Sequence, residues 1–254
     1  MNIWTRIKLA WTAWRARKEM QRARSLSQRW SALKALAGVQ PKVFAFPDYP
    51  YQSTDIPKFL LSIQSWRSNH NGAGLRLCFG DSIAAFTRDY LSQIPPELNC
   101  AQPGSGFPNF LATARAVQPA LRDASVHMVL VGSGGNAGLG GQALERILED
   151  AELCIRGMRK LFPDARLIVY GWPPIYDLYA TAIAPAVEER LKSLVIEDGN
   201  AVFLPLQKHF AGFLGLFPRI NYSSDGVHLN RAGIIRFNEL IVRAKMAPAG
   251  SVVD

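Results

Sequence analysis

Cysteine is scarce in this chain: Cys78, Cys100 and Cys154 are odd in number, lie far apart, and form no CxxC step or Cys/His pairing. Neither a disulfide framework nor a zinc site is indicated, and a reducing, cytoplasmic setting is the expectation. Charge is also sparse. Charged residues make up 19% against 48% hydrophobic, which argues against a disordered chain and leaves enough apolar material for a sizeable core. No apolar run reaches the roughly 18 to 20 residues of a membrane-spanning helix. The N-terminus lacks the unbroken apolar segment of a cleaved secretory signal, because Arg6, Lys8, Arg15, Arg17 and Lys18 interrupt it.

Acidic residues are nearly absent from residues 1–35, which hold nine Lys/Arg and only Glu19, a local charge of +8 within a total of +9. The basic character therefore belongs to an arm and not to the rest of the chain. Trp4, Ile7, Trp11 and Trp14 recur at helical spacing, so the arm is expected to be a basic helix with one apolar stripe. Tryptophans on such a stripe favour an anionic lipid surface or a partner protein over nucleic acid. A peripheral position at the inner membrane surface follows as an expectation for residues 1–35. The plainer alternative is a helix packed on its own domain or on a second subunit.

Residues 1–38 are assigned to this helical extension and 39–72 to a connecting segment interrupted by Pro41, Pro47, Pro50 and Pro57. Residues 73–246 form the main folded domain, and 247–254 are a C-terminal tail. Within the domain, apolar runs rich in β-branched residues at Leu75–Phe79, Glu97–Ala101, Val126–Val131, Arg166–Tyr170 and Ala201–Leu204 read as strands. Helical patterns fall near 83–93, 107–121, 141–161 and 182–196, with a last one over Arg231–Lys245. Alternating strands and helices predict an α/β fold, a three-layer α/β/α sandwich around a parallel sheet. Ligands of such sheets bind at the carboxyl ends of the strands, so the polar residues there carry the most information.

Four strand ends are informative. Gly80-Asp81-Ser82 follows the first strand and opens a helix, where backbone N–H groups and the helix dipole favour a developing negative charge. Alone, Ser82 fits an ordinary helix cap better than a nucleophile. Asp225-Gly226-Val227-His228 places a carboxylate and an imidazole on one tight turn, so that one ring nitrogen can donate to the acid while the other serves as a base. Alone, this too would be a turn aspartate beside a surface histidine. Together they supply a nucleophile, a base and an orienter in the order Ser, Asp, His. Gly104, after the second strand, and Gly134-Gly135-Asn136, after the third, can donate N–H groups toward an oxyanion above Ser82, although glycine and asparagine are also ordinary turn residues. Gly80-Asp81-Ser82-Ile83-Ala84 lacks the second glycine of a G-x-S-x-G elbow, which weighs against the α/β-hydrolase fold.

With these four blocks in this order, the chain resembles the SGNH/GDSL hydrolase superfamily over about residues 74–245. The resemblance implies a flavodoxin-like five-stranded parallel sheet and no metal or cofactor. It implies Ser82 as nucleophile, His228 as base and Asp225 as its partner, with an oxyanion hole from the Ser82 N–H, the Gly104 N–H and the Asn136 side chain. Two features depart from the family pattern. Ala137 stands where the third block usually has Asp, which removes a support for Asn136. Gly106 competes with Gly104 as a donor, and the distance from Asn99 favours Gly104.

The expected activity is that of a serine esterase or acyl hydrolase, acting through an acyl-enzyme on Ser82. By the same resemblance the substrates include carbohydrate acetyl esters, lysophospholipids, thioesters and aryl esters. Transfer of the acyl group to an acceptor hydroxyl is the nearest alternative. A non-catalytic glycan- or lipid-binding module is a third, against which the intact Ser82, Asp225 and His228 argue. The apolar segment Phe210–Phe217, just ahead of the Asp-x-x-His block, is a lid for an acyl chain or a core-packing loop.

Overall fold

The computed structural model describes residues 56–69, 74–86, 98–175, 177–211, 221–223 and 225–253. The N-terminal arm and residues 39–55 of the connecting segment lie outside the described residues, as do 212–220 of the apolar segment. The first helix among the described residues, α1 (Ile56–Asn69), falls within the connecting segment and buries Phe59, Ile63 and Trp66 against the main core.

The rest alternates strand and helix. β1 (Leu75–Gly80) leads into the short α2 (Ser82–Phe86), then β2 (Leu98–Asn99), α3 (Phe107–Val117) with a 3₁₀ turn over Gln118–Leu121, and β3 (Val126–Gly132). After β3 come α4 (Gly135–Leu139), α5 (Leu144–Leu161), β4 (Arg166–Tyr170), α6 (Leu178–Asp198) and β5 (Ala201–Leu204). The short α7 (Leu206–Phe210), the long α8 (Arg231–Met246) and β6 (Ser251–Val252) close the chain. Among the described residues the strands of the sheet all pair in parallel, in the order β2-β1-β3-β4-β5-β6. The first five are the expected strands in the flavodoxin-like order. The sixth lies in the segment assigned as a tail, where Ser251 pairs with Val202 and Val252 with Phe203 of β5.

Leu167–Tyr170 of β4 and Ala201–Leu204 of β5 are continuous buried apolar runs because both faces of the sheet are covered there. Leu77 and Phe79 of β1, Val129 and Val131 of β3, and Leu167 and Val169 of β4 point into one core with α1, α3, α5 and α6. Their neighbours Cys78, Met128, Leu130, Ile168 and Tyr170 point the other way, onto α2, α7 and α8. The period of two thus divides the interior into two layers. α8 presents Ile234, Phe237, Ile241 and Ala244, three to four residues apart, to the second layer.

Order of strands positions the site. Chain direction across the sheet reverses between β1 and β3, and the crevice outside the carboxyl ends of these strands is where such folds bind ligands. Ser82 follows β1, Ser133 and Asn136 follow β3, and Gly104 lies in the loop after β2.

Candidate active site

The turn that carries Ser82 depends on a close approach. A β carbon on Gly80 would come within 2.6 Å of both the Gly132 carbonyl oxygen and the Tyr170 hydroxyl, so only glycine lets the ends of β1, β3 and β4 meet there. Asp81, not Ser82, caps α2. Its Oδ1 accepts from the Ile83 N–H at 3.0 Å, and its carbonyl accepts from the Ala85 N–H at 2.9 Å. The Ser82 side chain is thereby released from the capping role that it would otherwise fill.

Ser82 Oγ lies 3.0 Å from His228 Nε2, and His228 Nδ1 lies 2.6 Å from Asp225 Oδ2. Asp225 Oδ1 also accepts from the N–H groups of Val227 and His228, at 2.9 and 3.0 Å, which folds the segment into a tight turn. An antiparallel bridge between Tyr222 and Leu229 braces that turn, and the Ser223 N–H donates to the His228 carbonyl at 2.9 Å. Asn230 then caps α8 by accepting from the Gly233 N–H at 3.0 Å. Partial burial pushes the Asp225 carboxyl up, but the His228 ring and the two backbone donors outweigh it and hold the group below the usual carboxylate range. An ionised Asp225 only accepts, so Nδ1 carries the proton and the Nε2 lone pair faces the serine.

Asn136 Nδ2 donates one hydrogen to the Ser105 carbonyl at 2.9 Å, leaving the second hydrogen of the amide for another acceptor. Ser105 is buried, and its hydroxyl bridges the Gly80 carbonyl at 3.1 Å and the Gln102 carbonyl at 2.6 Å. Asn136, the loop after β2 and the end of β1 are therefore joined by one run of hydrogen bonds. The support that Ala137 cannot give comes from Ser105. Gly106 N–H donates to Asn109 Oδ1 at 3.1 Å, which occupies it. Gly104 has φ of +79°, and a β carbon there would meet nothing within 4 Å, so its turn borders open volume.

Two supporting contacts join residues too far apart in sequence for local pattern to reveal. Ser133 Oγ donates to Asp81 Oδ2 at 2.5 Å across 52 positions. Burial raises the Asp81 carboxyl above its ordinary range, opposed by the Ser133 hydroxyl and the Ile83 N–H. Asn99 Nδ2 donates to the Ala84 carbonyl at 3.0 Å while its Oδ1 accepts from the Ala101 N–H, tying β2 to α2. All three cysteines are buried and free, and burial pushes the thiols up, Cys100 to about 12, so none is a ready nucleophile.

No family model matches the chain, and none of the curated proteins matches it by sequence. Solved structures do match. The chain is similar to an acylhydrolase-type protein of Bacteroides fragilis, with TM-score 0.57 and 16% identity over 76% of this chain and 97% of that one. It is similar to a GDSL-like lipase of Bacteroides thetaiotaomicron, with TM-score 0.52 and 14% identity over 73% and 97%. A third is the C-terminal catalytic domain of peptidoglycan O-acetyltransferase A from Streptococcus pneumoniae, with TM-score 0.52 and 16% identity over 69% and 94%. The chain has the fold of the SGNH/GDSL hydrolases. Among the described residues, no helix is long and apolar enough to cross a membrane.

Proposed function

We propose that the protein is a serine acyl hydrolase that cleaves a carboxylic ester through an acyl-enzyme on Ser82. The observation that carries this is the unbroken line from Asp225 through His228 to Ser82, at 2.6 and 3.0 Å, assembled from residues 146 positions apart. In the first step Ser82 Oγ bonds to the ester carbon, its proton passes to His228 Nε2, and the carbonyl electron pair moves onto oxygen. The Ser82 N–H, the Gly104 N–H and the second hydrogen of the Asn136 amide receive that oxyanion. Collapse breaks the bond to the alcohol oxygen, which takes the proton from His228. Water then repeats the sequence on the acyl-enzyme and frees the acid.

The substrate is a carbohydrate acetyl ester or a lipid or lysolipid ester. Likeness to an O-acetyltransferase catalytic domain favours one second possibility, in which an acceptor hydroxyl replaces water. Acetylated sugars, lysolipids and acyl thioesters, assayed with wild type and Ser82→Ala, test the chemistry. Hydrolysis by wild type with loss in Ser82→Ala is expected, and hydrolysis that survives the substitution refutes it. Transfer would appear as an acylated acceptor when glycan is added.

Residues 1–35 contact an anionic lipid surface or a partner protein, as supported by the Trp4, Ile7, Trp11 and Trp14 stripe among nine basic residues. Co-sedimentation of the full chain with anionic vesicles, lost when the three tryptophans are replaced by alanine, is the expected result. Unchanged sedimentation removes the lipid role.

A further inference from the structure

Phe86 closes α2 one helical turn beyond Ser82, and its ring centroid lies 5.2 Å from that of the His228 imidazole, at an interplanar angle of 62°. It is 47% exposed, whereas every other described phenylalanine is buried. An aromatic ring left in solvent against the side chain that handles the proton is a placement that core packing does not require.

The geometry of acyl transfer says what passes this ring. The tetrahedral centre on Ser82 Oγ carries three further groups: the oxyanion, the acyl carbon and the alcohol oxygen. The oxyanion points toward the Gly104 and Asn136 donors. The alcohol oxygen must lie beside His228 Nε2, because that atom gives it the proton on departure. Whatever is bonded to the alcohol oxygen therefore passes beside the imidazole, whose ring has the exposed Phe86 ring packed against it.

We propose that Phe86 is a specificity-determining residue that forms the wall of the leaving-group side and favours esters whose alcohol half presents a flat apolar face next to the ester oxygen. This rests on the serine esterase proposal and narrows its substrate class. A stacked or edge-on ring contact made as the leaving group settles gives a preference of up to about tenfold. Because the side chain is exposed, its removal should leave the fold unchanged.

Phenyl acetate and trifluoroethyl acetate share an acyl group and an activated alcohol, and only the first carries a ring. Phe86→Ala is expected to lower kcat/KM for phenyl acetate by about tenfold and to leave trifluoroethyl acetate within about twofold, with Phe86→Trp restoring the ratio. An equal loss on both esters overturns the assignment, because the ring then serves to seat His228. No loss on either overturns it as well. A wild-type protein inert toward both esters, and unlabelled at Ser82 by a fluorophosphonate, instead overturns the esterase proposal and this one with it.

Discussion

Replacing Asp225 with asparagine separates the fold of the Asp225–His228 turn from its chemistry. Asparagine keeps an oxygen where Oδ1 accepts from the Val227 and His228 N–H groups, so the turn persists. At the Oδ2 position, 2.6 Å from Nδ1, it presents an N–H₂ donor. The imidazole then exposes the Nδ1 lone pair and carries its proton on Nε2, which faces Ser82 Oγ at 3.0 Å. A protonated Nε2 cannot accept the serine proton. Loss of the base tautomer costs on the order of 10⁴ in kcat, or about 5 kcal/mol of transition-state stabilisation. Stability should change by less than about 1 kcal/mol, since both backbone bonds remain and the carboxylate is 47% exposed, where solvent screens its charge. The measurement is kcat for nitrophenyl acetate alongside thermal unfolding of wild type and Asp225→Asn. A kcat reduced by less than about tenfold, or a loss of activity that tracks unfolding, would refute the tautomer mechanism.

Asn136→Ala removes one donor of the proposed oxyanion hole, and kcat is expected to fall by about a hundredfold to a thousandfold with KM little changed; steady-state kinetics check this, and an undiminished kcat excludes Asn136 from the hole. Asp81→Asn tests the buried carboxyl. Its folded value is raised, so the native state holds that proton more tightly than the unfolded chain, and Asp81 subtracts stability as pH climbs from the unfolded carboxyl range through the folded value. The melting temperature of Asp81→Asn relative to wild type should therefore rise across that window, and a flat difference contradicts the assignment. Asp225 has the opposite sign: its folded value is lowered, so its contribution is present above the unfolded range near pH 4 and is lost as pH falls through the folded value. The Tm gap between wild type and Asp225→Asn should shrink on acidification, and a gap that widens would be inconsistent with a depressed carboxyl.

β4 and β5 were legible because they are buried on both faces and so are written almost wholly in apolar residues; Arg166–Tyr170 and Ala201–Leu204 match the expected bounds. The Asp225–His228 pair was legible because its contact spans three residues and one turn. β6 was not, since two residues make no run, and neither was the early start of α6. The helical pattern was expected near 182–196, but the Asp177 side chain accepts from the Ala180 N–H at 2.8 Å and starts the helix at Leu178, with Pro185 inside it. Ser82 itself was ambiguous, and its neighbour removes the capping alternative: Asp81 takes the cap. The Ser105 and Ser133 braces depend on side chains meeting across the sheet, and no period or spacing in the chain encodes such meetings.

The most direct measurement of the central claim is mass spectrometry of the full chain after treatment with a fluorophosphonate, which reacts only with a serine activated by its base. One adduct mapped to Ser82 in wild type, and none in Ser82→Ala or His228→Ala, is the predicted result. An unmodified wild type, or an adduct on another residue, would contradict it.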